Sequence, residues 1–360
     1  MRVAVWSAKT LGRWGVLAVC TAAAGLLLAF PQAVQTGVRH GLAVCGELLI
    51  PSLFPFLVLS GFVIRSGTAS GVGRRLSPLM RRVFGFSGNA AAAMIISLIG
   101  GYPSGANAVA TLCEQGEIGR EEGRRLLRCC VSAGPAFIIG GIGVGMLGSA
   151  SAGIRLLAAH WLSFGIVALI ERRKAGPMPC LATPSEPLGA AVAQSVHAAV
   201  QSLLSMCGFV LLASGALSVG DALFGQALSP LWRCLLGCVT EVSTGCVEAA
   251  RMGMAAPFWL GAALGFGGLS VHGQIASRTA SLSLMDRGFF RARLLHALLG
   301  GTLSAVLLRG WHPTSAQANA AISAFSQENP LASASGLCAM MLLCLLFLYT
   351  LPVHGDTSQP

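Results

Sequence analysis

Charge is scarce in this sequence. Only 10% of its 360 residues are charged, 13 acids against 24 lysines and arginines, where a soluble domain carries about 25%. That shortage excludes an ordinary water-soluble domain. The 54% apolar content and mean hydropathy of +0.72 place the chain in a lipid bilayer instead. Catalytic signatures are missing as well. No Gly-x-Ser-x-Gly elbow, His-Glu-x-x-His pair or phosphate loop occurs, so the chain is read as a non-enzyme. Its 12 cysteines form no Cys-x-x-Cys pair and its seven histidines are scattered, which gives no expectation of a metal or a cofactor. Cysteines inside apolar runs, such as Cys20, Cys130, Cys207 and Cys344, read as small buried hydrophobes.

What is present is a series of long apolar runs, over 14–30, 48–64, 126–148, 152–170, 203–217, 294–308 and 336–353. Most approach the ~20 residues that cross a ~30 Å hydrocarbon core. The net charge of +11 sits in short clusters between these runs rather than along one amphipathic face. Nucleic acid is therefore not the expected partner, and the clusters read as topology signals. Arg2, Lys9 and Arg13 put the N-terminus in the cytoplasm, together with Arg74, Arg75, Arg81, Arg82 and with Arg172, Arg173, Lys174. The first apolar run outlasts a signal-peptide core, and "FPQA" is a poor small-residue cleavage site, so the segment is read as a retained helix.

One stretch interrupts this pattern. "GGYPSGAN", 100–107, follows "NAAAAMIISLI" and precedes "AVATLCEQGEIGREEGRR". In lipid, non-helical backbone survives only where protein or an aqueous cavity covers it. The flanking segments, 87–99 and 107–118, are too short to span, and charge lies outside both of them. A helical hairpin dipping from the cytoplasmic face satisfies these facts, with its tip near the midplane. The cluster 114–128 reads as a solvated turn.

A second segment, "LGFGGLSVHGQIASRTASLSLMDRGFFRARLL" at 264–295, repeats the order of features of "LIGGYPSGANAVATLCEQGEIGREEGRRLL" at 98–127. Upstream, "LSPLMRR" at Leu76 corresponds to "LSPLWRC" at Leu228, and "PFLVLSGFV" at Pro55 to "GFVLLASGAL" at Gly208. An odd number of spans separates the two breakers, so the second hairpin enters from the opposite side. The expected fold is an all-α polytopic membrane protein of two inverted repeats, each with a re-entrant helical hairpin, as in transporters. The divisions are an N-terminal helix and connection over 1–40, a first repeat over 41–175 with its hairpin around 83–119, and a cytoplasmic linker or amphipathic segment over 176–200. A second repeat follows over 201–310 with its hairpin around 241–286, then a polar connection and last span over 311–360.

"GGYPSGA" at Gly100, with "GEI", "EEGRRLL" and "GPAFI" after it, resembles the YlbJ-type sporulation integral membrane proteins, also called SpoVV. Their Gate or nucleoside-recognition domains also occur in spore maturation proteins. "PSLFPFLVLSG" at Pro51, "EVSTG" at Glu241, "GFGGLSVHGQ" at Gly265 and "RARLLHALLG" at Arg291 fit the same family, so the resemblance covers roughly 40–310. A shorter likeness joins Gate domains to concentrative nucleoside transporters and ferrous-iron permeases. The resemblance implies a role in endospore formation, moving dipicolinic acid across the outer forespore membrane. A dianion of that kind needs positive potential inside the bilayer, which half-helix N-termini at hairpin tips supply. The expected substrate-binding tips are Gly101, Tyr102, Pro103, Ser104, Gly105 and Asn107 in the first half, and Gly268, Ser270, His272, Gly273, Gln274 and Arg278 in the second. Turn-shaping and helix capping account for the same residues equally well. Glu241 is a coupling or structural carboxylate and a candidate partner of Arg278, with Glu47 a weaker counterpart. Besides lipid and a small organic anion, a second copy or a sporulation membrane partner is compatible with the short loops. The rival readings are a partner-dependent, non-transporting component and a nucleoside-type transporter.

Overall fold

Proline opens many of the helices, where its missing N–H costs nothing, and glycines of positive φ, at 67, 85, 101, 267 and 268, separate others. The computed structural model describes residues 2–172, 186–225 and 227–311. Within them the regular structure is entirely helical. The helices are α1 (Arg2–Ala29), α2 (Pro31–Ala43), α3 (Ile50–Arg65), α4 (Thr68–Leu79), α5 (Ala90–Gly100), α6 (Tyr102–Glu114) and α7 (Arg120–Cys129). They continue with α8 (Ala150–Ile170), α9 (Leu188–Phe224), α10 (Pro230–Thr240), α11 (Val242–Ala250), α12 (Ala256–Phe266), α13 (Gly268–Thr279) and α14 (Arg287–Leu307). Wider π-helical turns occupy Val44–Leu49, Met80–Phe84 and Ala136–Met146.

Among the described residues, three elements are long and apolar enough to cross a membrane: Ala150–Ile170, Leu188–Phe224 and Gly253–Leu282. A fourth arises if Leu17–Ala29 and Pro31–Gly46, bent by 94°, count as one span. The boundary expected at residue 40 falls inside continuous helix, because α2, the π turn and α3 run on without interruption. They lie antiparallel to α9, with Gly37 against Ser214 and Gly41 against Leu211 at one end and Gly61 against Ser195 at the other. Small residues let these backbones approach closely. Of the linker or amphipathic segment expected over 176–200, the part from 188 is helical and does not connect the halves as a loop. It belongs to α9, while 173–185 and the last expected span, 336–353, lie outside the described residues.

Two helical hairpins stand out. The helices α5 and α6 fold back on each other at Gly101, with Gly105 against Ser97, and α10 and α11 do so at Glu241, with Gly245 against Gly237 and Cys238. In each, contacting small residues flank the tip by four positions. The first hairpin lies inside the expected 83–119. The second does not have its tip at the double glycine, as expected for 241–286. There Gly253–Leu282 runs as one span-length element interrupted at Gly267–Gly268. The chain folds back earlier, where the Glu241 carboxylate replaces glycine as the device that starts a new helix. The apolar run 126–148 is likewise interrupted, over 130–135, between α7 and the π turn.

Each hairpin tip rests on one of these interruptions. A Cβ on Gly101 would lie 3.1 Å from the Gly134 nitrogen, and one on Gly268 would lie 3.1 Å from the Glu241 backbone. The freed backbone groups find side-chain partners, as burial requires. At the first interruption the Ala133 amide donates to His160 Nε2 at 3.0 Å, and Arg293 donates to the carbonyls of Arg128 and Val131. At the second, Tyr102 donates its hydroxyl to the Leu264 carbonyl at 2.6 Å, His272 Nε2 lies 3.0 Å from that of Phe266, and Arg293 reaches that of Gly265 at 3.5 Å. Arg293 is wholly buried, so one guanidinium joins the two interruptions.

Candidate functional site

Polar side chains on four helices converge on a cavity of about 1070 Å³ between α6, the first half of α9, and α13, with the end of α3 at its edge. From α6 come Pro103, Asn107 and Glu114; from α13, Gln274, Ser277 and Arg278; from α3, Arg65. The α9 wall is a polar stripe of Gln194, His197, Gln201, Ser202 and Ser205. Their spacing of three to four residues puts them on one face of the helix. That periodicity is visible in "AQSVHAAVQSLLS", yet the sequence reading left these residues in a linker and a span and missed the site they form.

Arg278 is the most densely coordinated group of the cavity. Its Nε donates to Asn107 Oδ1 at 2.7 Å, and its two terminal nitrogens form a fork to Glu114 at 2.7 and 3.0 Å, with Thr111 at 3.4 Å. Asn107 in turn donates to the Ser202 hydroxyl at 2.7 Å. One chain of polar contacts thus links α13, α6 and α9. Arg65 is held across the cavity by Glu186 at 3.2 Å and Gln194 at 2.7 Å. The partner expected for Arg278 was Glu241, and the structure assigns Glu114 instead. Those residues stand 164 positions apart in sequence, a separation that no local pattern reveals.

Glu241 sits elsewhere. It is 3% exposed, and its Oε2 accepts from the amide of Thr244 at 2.8 Å and its hydroxyl at 3.3 Å, capping α11. It borders a small chamber of about 40 Å³ with Gly101, Tyr102, Pro103, Ser243 and Gln274. Pro103 and Gln274 line both spaces, so the chamber adjoins the cavity. The N-termini of α6, α11 and α13 meet at this level, at Tyr102, Val242 and Gly268. The C-termini of α5, α10 and α12 end at the same tips, so the Glu241 carboxylate is held by the first-turn amide of its own helix rather than by an arginine.

The remaining expected residues divide by their surroundings. Ser104 turns back to the Gly100 carbonyl at 3.1 Å, and Gly105 packs on Ser97 and the Cys130 carbonyl. Gly273 abuts Phe209, and Ser270 accepts from Gln274 at 3.3 Å. His272 faces Phe266, Phe289 and Phe290 at ring distances of 4.8 to 5.7 Å. Of the twelve expected tip residues, only Pro103, Asn107, Gln274 and Arg278 line the large cavity, and Gly101, Tyr102, Pro103 and Gln274 the chamber. The side chain of Glu47 lies outside the described ones. Among the described residues, no cluster of three or more histidine, cysteine or acidic side chains is arranged to hold a metal.

The chain is 27% identical, over 387 aligned residues, to the Sporulation integral membrane protein YlbJ of Bacillus subtilis (strain 168). The match covers 90% of this chain and 93% of that protein. No family model matches the chain, and no solved structure does. The likeness carried by the sequence motifs extends over nearly the whole chain, which is YlbJ-like.

Proposed function

From that likeness we propose that the chain is a sporulation membrane transporter that moves a small organic anion, with dipicolinate as the candidate, through the cavity between α6, α9 and α13. The observation that carries this reading is Arg278, whose guanidinium lines a cavity of about 1070 Å³ beside Asn107 and Gln274. Arg65 faces the same space. Two cationic groups suit a planar dicarboxylate, since a guanidinium fork matches a carboxylate bidentately. The outer forespore membrane is the location that the family resemblance implies.

In this reading the fold is a pair of inverted repeats. Each has a hairpin, an interrupted span and an uninterrupted helix: α5–α6, 120–146 and α8, then α10–α11, Gly253–Leu282 and α14. Support comes from the end of the bundle where Arg65 meets Glu186, Arg125 meets the carbonyls of Gly85 and Glu171, and Arg128 meets Glu171 and Asp286. The arginines make this the cytoplasmic end. The first hairpin starts and finishes there, and the cavity, with Arg65, Glu114 and Ser281 on its walls, is reached from it. Glu241 is then the carboxylate available to a coupling cation. Calorimetry on the purified, detergent-solubilised protein tests the proposal. Saturable dipicolinate binding, weakened at least tenfold in Arg278→Ala and absent with uridine, is the expected result. That threshold corresponds to about 1.4 kcal/mol, just under the ~1.5–3 kcal/mol of a hydrogen bond to a charged group. Uridine binding unaffected by Arg278→Ala would favour a nucleoside-type carrier.

A further inference from the structure

The cation proposed to receive the substrate already holds a carboxylate. Both Glu114 oxygens lie within 3.0 Å of the Arg278 terminal nitrogens, in the fork geometry that a substrate carboxylate would adopt. Glu114 ends α6 and Arg278 lies in the last turn of α13, so this contact also fastens the first hairpin to the second interrupted span. The pair is accessible, with side chains 40% and 28% exposed. An ion pair this open to water is worth about 0.2–1 kcal/mol, weak enough for another anion to displace.

We infer that Glu114 is an internal stand-in for the substrate: its carboxylate occupies the anion position on Arg278, and an incoming carboxylate must exchange with it, unfastening α6 from α13 as it binds. Asn107 Oδ1, on the guanidinium Nε at 2.7 Å, keeps Arg278 oriented while its two terminal nitrogens change partner. Anion occupancy and release of the hairpin thereby become one event. Glu114 sets affinity by competition, the opposite of a ligand-contacting residue, and its removal should tighten binding.

This inference rests on the anion-carrier reading, and two readouts separate their failures. Calorimetry with dipicolinate compares the wild type, Glu114→Gln, Arg278→Gln and the double variant; hydrogen exchange of 102–114 is followed without ligand. The expected result is dipicolinate binding about two- to fivefold tighter in Glu114→Gln, the fold-change equivalent of an exposed pair. The same substitution should have no effect in the Arg278→Gln background, and amide exchange in α6 should be faster. Unchanged or weaker binding in Glu114→Gln, with the wild type binding, overturns the inference; a merely structural role for Glu114 predicts weakening. No dipicolinate binding by any form defeats the substrate reading. If α6 exchange is then also unchanged in Glu114→Gln, the fastening role falls with it, whereas faster exchange sustains that role for another anion. Should Glu114→Gln fail to fold, Glu114→Ala in the same two assays carries the same expectations.

Discussion

Replacing Arg293 by methionine removes the group that joins the two interrupted segments. The guanidinium is wholly buried and donates to the Arg128 and Val131 carbonyls, with the Gly265 carbonyl at 3.5 Å as a third partner. Methionine fills much of the volume but leaves those acceptors dry. Two close carbonyls left unpaired cost about 1–3 kcal/mol each. Against this, the buried charge no longer has to be desolvated, a relief of several kcal/mol when nothing else is left unsatisfied. The carbonyls belong to backbone that cannot be replaced, so the interruption itself bears their cost of about 2–6 kcal/mol, and an opening around 128–131 that returns both to water is expected to be favoured by about 3 kcal/mol relative to the wild type. The interruption carries its own reporters, because Cys129 and Cys130 are fully buried beside it. Thiol labelling read by mass spectrometry in detergent should therefore speed up at these two cysteines by roughly a hundredfold, as 1.4 kcal/mol is tenfold in an opening equilibrium. Cys45, packed against Val210 and Cys207, serves as the control and should change little. Labelling of Cys129 and Cys130 within twofold of wild type would refute the reasoning and mean that the carbonyls are satisfied without the guanidinium.

Three further expectations follow from the packing and charges. Gly105→Ala places a methyl 2.3 Å from the Cys130 carbonyl, which forces the first hairpin off its support and should cost about 1–3 kcal/mol, read as a lowered thermal midpoint. Gly261→Ala meets the Gly300 carbonyl at 2.3 Å and should similarly loosen the antiparallel contact of α12 with α14, seen as faster amide exchange in both helices. Burial pushes the Asp286 pKa up, but Arg128 and the amides of Phe289 and Gly288 outweigh it and hold the carboxyl below its usual range. Its stabilising contribution is thus present above the unfolded-state value of about 3.9 and lost as pH falls through the lower folded value. Asp286→Asn should lower the thermal midpoint slightly at pH 7, with the gap closing in strong acid; a gap independent of pH would contradict the assignment.

The first hairpin was legible because glycine and proline punctuate it at the residues where the backbone turns. The second was misplaced because the double glycine at 267–268 is the more conspicuous breaker, whereas the actual fold-back uses a capping carboxylate in "VTEVS", a stretch without glycine or proline. Its signal lay in the small residues Gly237 and Gly245 spaced four either side of Glu241, as Ser97 and Gly105 are around Gly101. Asn107, Gln274 and Arg278 stand out in the sequence because polar groups on apolar half-helices are costly in lipid, and all three line the cavity. Glu114 was passed over because, read along the chain, it belongs to a charged turn; only folding brings it to α13. His272 was read as a ligand for the same reason that Gln274 was. His272 and Gln274 are two residues apart, which puts them on opposite faces of α13, and sequence alone does not fix which face is aromatic and which meets the cavity.

The measurement that bears most directly on the central claim is uptake of radiolabelled dipicolinate into proteoliposomes containing the purified chain. Saturable uptake above empty vesicles is expected, abolished or reduced at least tenfold in Arg278→Ala, a loss equivalent to about 1.4 kcal/mol. Uptake by the folded wild-type protein that equals empty vesicles, or that is unchanged in Arg278→Ala, would contradict the claim.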